Sequence, residues 1–167
     1  MDKQIGNLFN KIRGAVQTND DDGNNNMQQN EQLIVEASRV FISKIDNNLT
    51  SEDVLKYFQV LKVCKMTNSN IQKLKKDNFV SELNSRLKVF IKSSQHELDF
   101  HTSQILCQTI VLLIRKSLKV SSYLHQSLQS EGVWHTFAML INTCPVENMP
   151  SLLNYVKEAA ILLQNEY

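Results

Sequence analysis

Residues 123–141 read YLHQSLQSEGVWHTFAMLI, and in this stretch two helical patterns meet at one glycine. Val120, Tyr123, Leu124 and Leu128 recur at the three- and four-residue spacing of a helix face. Val133, Trp134, Phe137, Leu140 and Ile141 do the same after Gly132. A glycine between two helices marks a tight corner, because it takes a left-handed backbone without a Cβ penalty. Elsewhere turn residues are scarce. The chain has 167 residues, 4 of them Gly and 2 Pro, against a usual share of about 7% and 5%. Sandwiches and barrels need a turn about every 8–12 residues, so they are excluded, as are glycine-dependent nucleotide-binding sheets. A hydrophobic fraction of 42% excludes a wholly disordered chain. The expectation is an all-α fold.

Working outward, the same spacing continues in both directions. Downstream, Asn142–Pro150 reads as a loop. Ser151–Asn165 reads as a helix carrying Leu152, Leu153, Tyr155, Val156, Ala159, Ala160, Leu162 and Leu163, with Pro150 at its N-terminal edge. Upstream, His96–Leu118 is a long helix whose centre, ILCQTIVLLI, is apolar almost all round, the profile of a helix buried between neighbours. Asp77 or Asn78 caps a helix with Phe79, Val80, Leu83, Leu87, Phe90 and Ile91, which Ser93-Ser94 ends. Thr67 caps a short helix with Ile71 and Leu74. Thr50 or Ser51 caps one with Val54, Leu55, Phe58, Leu61 and Val63. Glu31–Asp46 carries Leu33, Ile34, Ala37, Val40, Phe41 and Ile45. Residues 18–30, TNDDDGNNNMQQN, are almost wholly polar and read as a disordered Asn/Asp-rich linker. Residues 1–17 read as a short amphipathic helix on Ile5, Leu8, Phe9, Ile12 and Val16. The folded domain is therefore expected over 31–167.

The halves of that domain align. Placing Leu74 on Leu128 pairs Asn78 with Gly132, Phe79 with Val133 and Leu83 with Phe137. Farther on, Ile110–Leu113 falls on Ala160–Leu163. Asn opposite Gly is physically sensible, since both tolerate a left-handed corner. Each unit reads as short helix, corner, medium helix, loop and longer buried helix, the pattern of a solenoid repeat. Any helical bundle shows some chance similarity of this kind, and a closed bundle is the competing architecture.

The stretch 123–141, with Gly132 between the first and second helices, resembles the start of an armadillo repeat. SLLNYVKEAAILLQ from Ser151, with its small pair Ala159-Ala160, resembles the third helix. The likeness covers roughly residues 50–167. It implies an armadillo-like right-handed superhelix of about two and a half repeats, in the wider armadillo/HEAT-like class. Within it, FQVLKVCKMTNSNIQKL from Phe58 is similar to the N-terminal repeats of ataxin-10-type proteins. The resemblance implies a non-enzymatic module that binds protein partners along its surface. A rival resemblance covers 50–118. VLKYFQVLKVCKMT from Val54 and IQKLKKDNFVSELNSRLKVF from Ile71 are similar to the N-terminal domain of transcription elongation factor S and the integrase-binding domain, which act in nuclear transcription complexes. Asn78-Phe79 stands where that family has Ile-Gly, and Ile114-Arg115 where it has Trp-Lys.

Chemistry-bearing motifs are absent. No nucleophile elbow, phosphate loop, HExxH or paired-carboxylate pattern appears, so no enzyme, cofactor or metal is expected. His96 and His101 are five apart, on different helix faces. Cys64, Cys107 and Cys144 form no CxxC pair, and Cys107 lies within the apolar helix, where packing explains it. Asp99 and Glu97 read as a helix start. The N-terminus has no secretory apolar core, and no apolar run, Ile110–Ile114 included, exceeds five residues. A cytoplasmic protein without a membrane span is expected.

The formal net charge of +1 conceals a pattern. Residues 1–53 carry −4, 54–92 carry +7, 93–120 carry +1 and 121–167 carry −3. The basic segment reads as a solvated helix face, as a patch for an acidic protein partner, as a surface for nucleic acid or anionic membrane, or as a dock for the acidic tract 20–22. Nucleic acid ranks below protein, because the interleaved exposed aromatics of a single-strand binder are missing. Candidate partner-binding residues are Lys73, Lys76, Arg86 and Lys88, with Trp134 as an aromatic anchor beside its core role. The apolar C-terminal helix face (Ile161, Leu162, Leu163) adds an expectation of self-association, or of a chain that resembles part of a longer protein.

Overall fold

The structure, a computed structural model, describes residues 23–94, 98–118, 120, 126–127 and 132–164, with the backbone alone over 23–31 and at 164. Among them all regular structure is helical. The helices are α1 (Gly23–Ile45), α2 (Ser51–Val63), α3 (Asn68–Lys76), α4 (Phe79–Ser93), α5 (Phe100–Leu118), α6 (Val133–Thr143) and α7 (Met149–Gln164), with a 3-10 turn at Val146–Asn148. The expected amphipathic helix at 1–17 and most of the helix at 120–129 lie outside the described residues, although Gln126 and Ser127 are helical.

Local chemistry sets most boundaries where the sequence puts them. Thr50 closes a capping box on α2. Its hydroxyl accepts from the Asp53 N–H at 3.2 Å, and the Asp53 carboxylate accepts from the Thr50 N–H at 3.0 Å. The Thr67 hydroxyl caps α3 by accepting from the Asn70 N–H. Asp99 opens α5 by accepting from the Thr102 N–H at 2.7 Å. Pro150 sits in the first turn of α7, where its missing N–H is tolerated. Several boundaries differ from the sequence expectation: α5 begins at Phe100 rather than His96, α7 at Met149 rather than Ser151, and two more differ for reasons that can be named. α1 begins at Gly23, inside the stretch expected as a linker over 18–30. Extending a helix already nucleated by its apolar part costs far less than starting one, so polar residues join it. Asn78 precedes α4 in a left-handed conformation (φ 55°) without any side-chain cap bond, so it acts as a corner rather than a cap.

That corner has a counterpart. Gly132 precedes α6 with φ 86° and ψ 42°, against φ 55° and ψ 40° at Asn78. The two positions that the sequence alignment paired thus share a left-handed backbone, as does Asn48 after α1. α2, α5 and α7 form one file of neighbouring helices, and α1, α4 and α6 form a second. One core runs through both files, from Leu33 and Ile34 in α1 to Ala159 and Leu163 in α7. α5 is central to it, with Leu106, Cys107, Ile110, Leu113 and Ile114 all buried. At about 25 cal/mol per Å² of apolar area, each such side chain contributes roughly 1.5–3 kcal/mol before entropy is counted.

One face is not where the apolar pattern suggests. On α2 the buried side is Val54, Tyr57, Val60 and Leu61, whereas Leu55 and Val63 are exposed. Tyr57 enters the core because α1 supplies what its ring and hydroxyl need. Its ring stacks on Phe41 at 4.4 Å, and its hydroxyl pairs with the Ser38 hydroxyl at 2.7 Å.

Candidate interaction surface

The basic segment does not make one patch. Lys73 and Lys76 share the exposed face of the last turn of α3, where they also suit the negative end of the helix dipole. Neither makes an ion pair among the described residues. Arg86 is different. Its guanidinium donates to Glu82 at 2.8 Å on its own helix, to Asp46 beyond the end of α1, and to the Ile42 carbonyl at 3.4 Å. It braces α4 against α1, so an incoming carboxylate would compete with two already in place. Lys88 lies on the other side of α4, toward α6. A Cβ placed on Gly132 would stand 3.3 Å from its Nζ. Residues two apart on a helix point nearly opposite ways, and Arg86 and Lys88 therefore face different neighbours. Trp134 is half-exposed at the start of α6, its ring 6.1 Å from that of Phe137.

Between α1 and the α3–α4 corner lies a cavity of about 340 Å³. Its floor is Ile42, Leu74 and Phe79, and Ser38 closes its back. Around the mouth stand Arg39, Asp77, Glu82 and Arg86. These charges are paired in place. Arg39 donates to Asp77 from Nε at 2.7 Å and from Nη2 at 3.3 Å, a forked pair that pushes the Arg39 pKa up further, chiefly through the hydrogen bond. Lys73 sits one turn before Asp77 on the same side of α3, next to this mouth. The cavity has room for an apolar side chain, and Lys73 beside it can meet negative charge. Sequence reasoning missed it. Arg39 is separated from Asp77 by 38 residues and Arg86 from Asp46 by 40, and no local spacing signals that they meet.

Reactive groups are muted. Burial pushes the Cys64 thiol up to about 11 and Cys107 to about 12, and it raises Cys144 as well. Among the described residues no group of three His, Cys, Asp or Glu side chains could hold a metal ion, and no described helix is long and apolar enough to cross a membrane. His96, Glu97 and His125 lie outside the described residues. Compared with protein-family models, curated proteins and solved structures, the chain finds no match in any of the three.

Proposed function

We propose that this chain is a non-enzymatic protein-interaction module, an armadillo-like right-handed stack of about two and a half three-helix repeats that holds a segment of a protein partner on its surface. The cavity at the α3–α4 corner carries this reading. Its floor is apolar, its own charges are paired, and Lys73, one turn before the lining residue Asp77, has no described ion-pair partner. The partner segment is acidic. It places one apolar side chain on Ile42, Leu74 and Phe79 and its carboxylates near Lys73 and Lys76.

Two observations support the stack over a closed bundle. The matched corners at Asn78 and Gly132 each introduce the second helix of a unit, and the helices follow in two files. The rival reading, a transcription-elongation-type domain over 50–118, expects a piece that folds by itself up to Leu118. The core shared across α4, α5, α6 and α7 speaks against such a boundary.

The test is binding of short synthetic peptides that carry several Glu or Asp and one Leu or Phe. Lys73→Glu combined with Lys76→Glu should weaken the best binder about tenfold, since two rim charges together amount to roughly 1.4 kcal/mol. Both lysines also suit the negative end of α3, so the melting temperature should fall by only a few degrees. Equal affinity of wild type and the double variant for every such peptide would sink the proposal.

A further inference from the structure

Among the described residues, nothing covers the outer face of the last helix of each file. On α7, Tyr155 and Glu158 point at α5: the Tyr155 hydroxyl accepts from Gln108 Nε2 at 2.7 Å, and Glu158 pairs with Arg115. Helical geometry puts Leu153, Lys157 and Ala160 on the opposite side of α7, with Ile161 beside them. On α6, Thr136 points at α4, donating to Asn84 Oδ1 at 3.3 Å, and Trp134, Ala138 and Ile141 lie opposite it. Both sets turn away from the rest of the stack. Leu153 is 50% exposed, Ile161 49% and Trp134 37%. The expectation from sequence named Ile161, Leu162 and Leu163. Leu163 is buried and Leu162 half-buried, so the face rests on Ile161 together with Leu153 and Trp134.

We propose that this α6–α7 face pairs with the same face of a second copy of the chain about a twofold axis. Charge selects the occupant. Lys157 is the one charged side chain among the residues just placed on the face, so a charged partner segment would find nothing to pair with there. At the other end of the two files the outer side of α2 exposes Glu52 and Lys62 beside Leu55 and Val63. A head-to-tail contact would set Leu153, Ile161 and Trp134 against those charges. An isologous contact sets apolar on apolar and leaves the flexible Lys157 free to reach the rim. The small residues Ala138 and Ala160 let the helices of the two copies approach closely. α7 is about 24 Å long and α6 about 16 Å, each about 10 Å across, so the footprint is on the order of 400 Å². That is below the roughly 800 Å² per partner of a stable interface, and the pairing is accordingly weak and concentration-dependent. It does not use the cavity between α1, α3 and α4, so each proposal can fail without the other.

Sedimentation equilibrium of the full chain over about 10–500 μM, the range suited to a small interface, reads this directly. The mass should climb from 19.2 kDa toward twice that value and go no further. Ile161→Glu and Leu153→Glu, both at exposed positions, should each weaken association at least about tenfold. Val63→Glu, a similarly exposed apolar site on α2, should associate as wild type does. Trp134 is the sole tryptophan, so its emission should shift to the blue with concentration in wild type and stay constant in Ile161→Glu. Monomer at every concentration, growth past the dimer, or undiminished association of Ile161→Glu overturns the proposal.

Discussion

At the scale of single residues, two corners carry much of the argument. Asn78 and Gly132 both have left-handed backbones, which a residue with a Cβ adopts at a cost of about 1–2 kcal/mol unless it is Asn or Asp. Gly132→Ala should therefore lower the melting temperature by several degrees, at about 2–4 °C per kcal/mol, whereas Gly132→Asn should cost less and Asn78→Gly should be tolerated. The Lys88 ammonium near the added Cβ can move aside, so strain at the corner and not crowding sets the loss. Thermal melts of the three variants give the order. The cysteines yield a second expectation. With Cys64 and Cys107 buried and their thiols raised to about 11 and 12, a thiol-reactive dye at pH 8 should label neither until the protein unfolds. Cys144, 8% exposed, should react first, and rapid native labelling of Cys107 would contradict its placement. Tyr57 shows what a single position conceals: nothing near it in sequence announces Ser38 and Phe41.

At the scale of elements, the caps were legible because each is a local bargain between a side chain and the next turn. Asp99 illustrates the energetics. The Thr102 hydroxyl and N–H hold its carboxyl below the usual carboxylate range. A lowered folded pKa means that the cap's contribution is complete above the ordinary value and is lost as pH falls through the lowered one. Asp99→Ala should cost about 1 kcal/mol at neutral pH, and the gap between variant and wild type should close below about pH 4, as urea melts across pH would record. Contacts between elements were not legible. Asn84 on α4 is buried, accepts from Thr136 on α6, and leaves its Nδ2 without a described partner. Thr136→Val should cost about 1–3 kcal/mol by stranding the amide. Asn84→Leu combined with Thr136→Val should recover much of that, and a double-mutant cycle by chemical denaturation measures the coupling.

At the scale of the whole molecule, the fold divides the basic residues by role. Arg86 lies between Glu82 and Asp46 and ties α4 to α1. Arg86→Glu should place three carboxylates together and depress the melting temperature by several degrees. Lys73→Glu, which loses only a helix-end charge, should lower the melting temperature less than Arg86→Glu does while it alters binding of an acidic peptide. If both variants melt alike, the division between brace and contact fails. The exposed apolar residues are divided in the same way. Leu55 and Val63 lie on α2 among charged neighbours, while Trp134, Leu153 and Ile161 gather on the outer helices of both files.

Sequence alone determined that the chain is helical, where several of its caps fall, and that Asn78 and Gly132 are residues suited to left-handed corners. Those properties rest on spacing, capping and backbone preference, all of which act within a turn or two of the chain. Only the tertiary structure decided which lysines remain exposed and which arginine becomes a brace. It likewise decided that Tyr57 rather than Phe58 enters the core, and that α1 reaches back to Gly23. Each of these depends on partners tens of residues away or on a helix stabilised by its neighbours, and a charge or ring cannot be assigned a role until the surface that faces it exists.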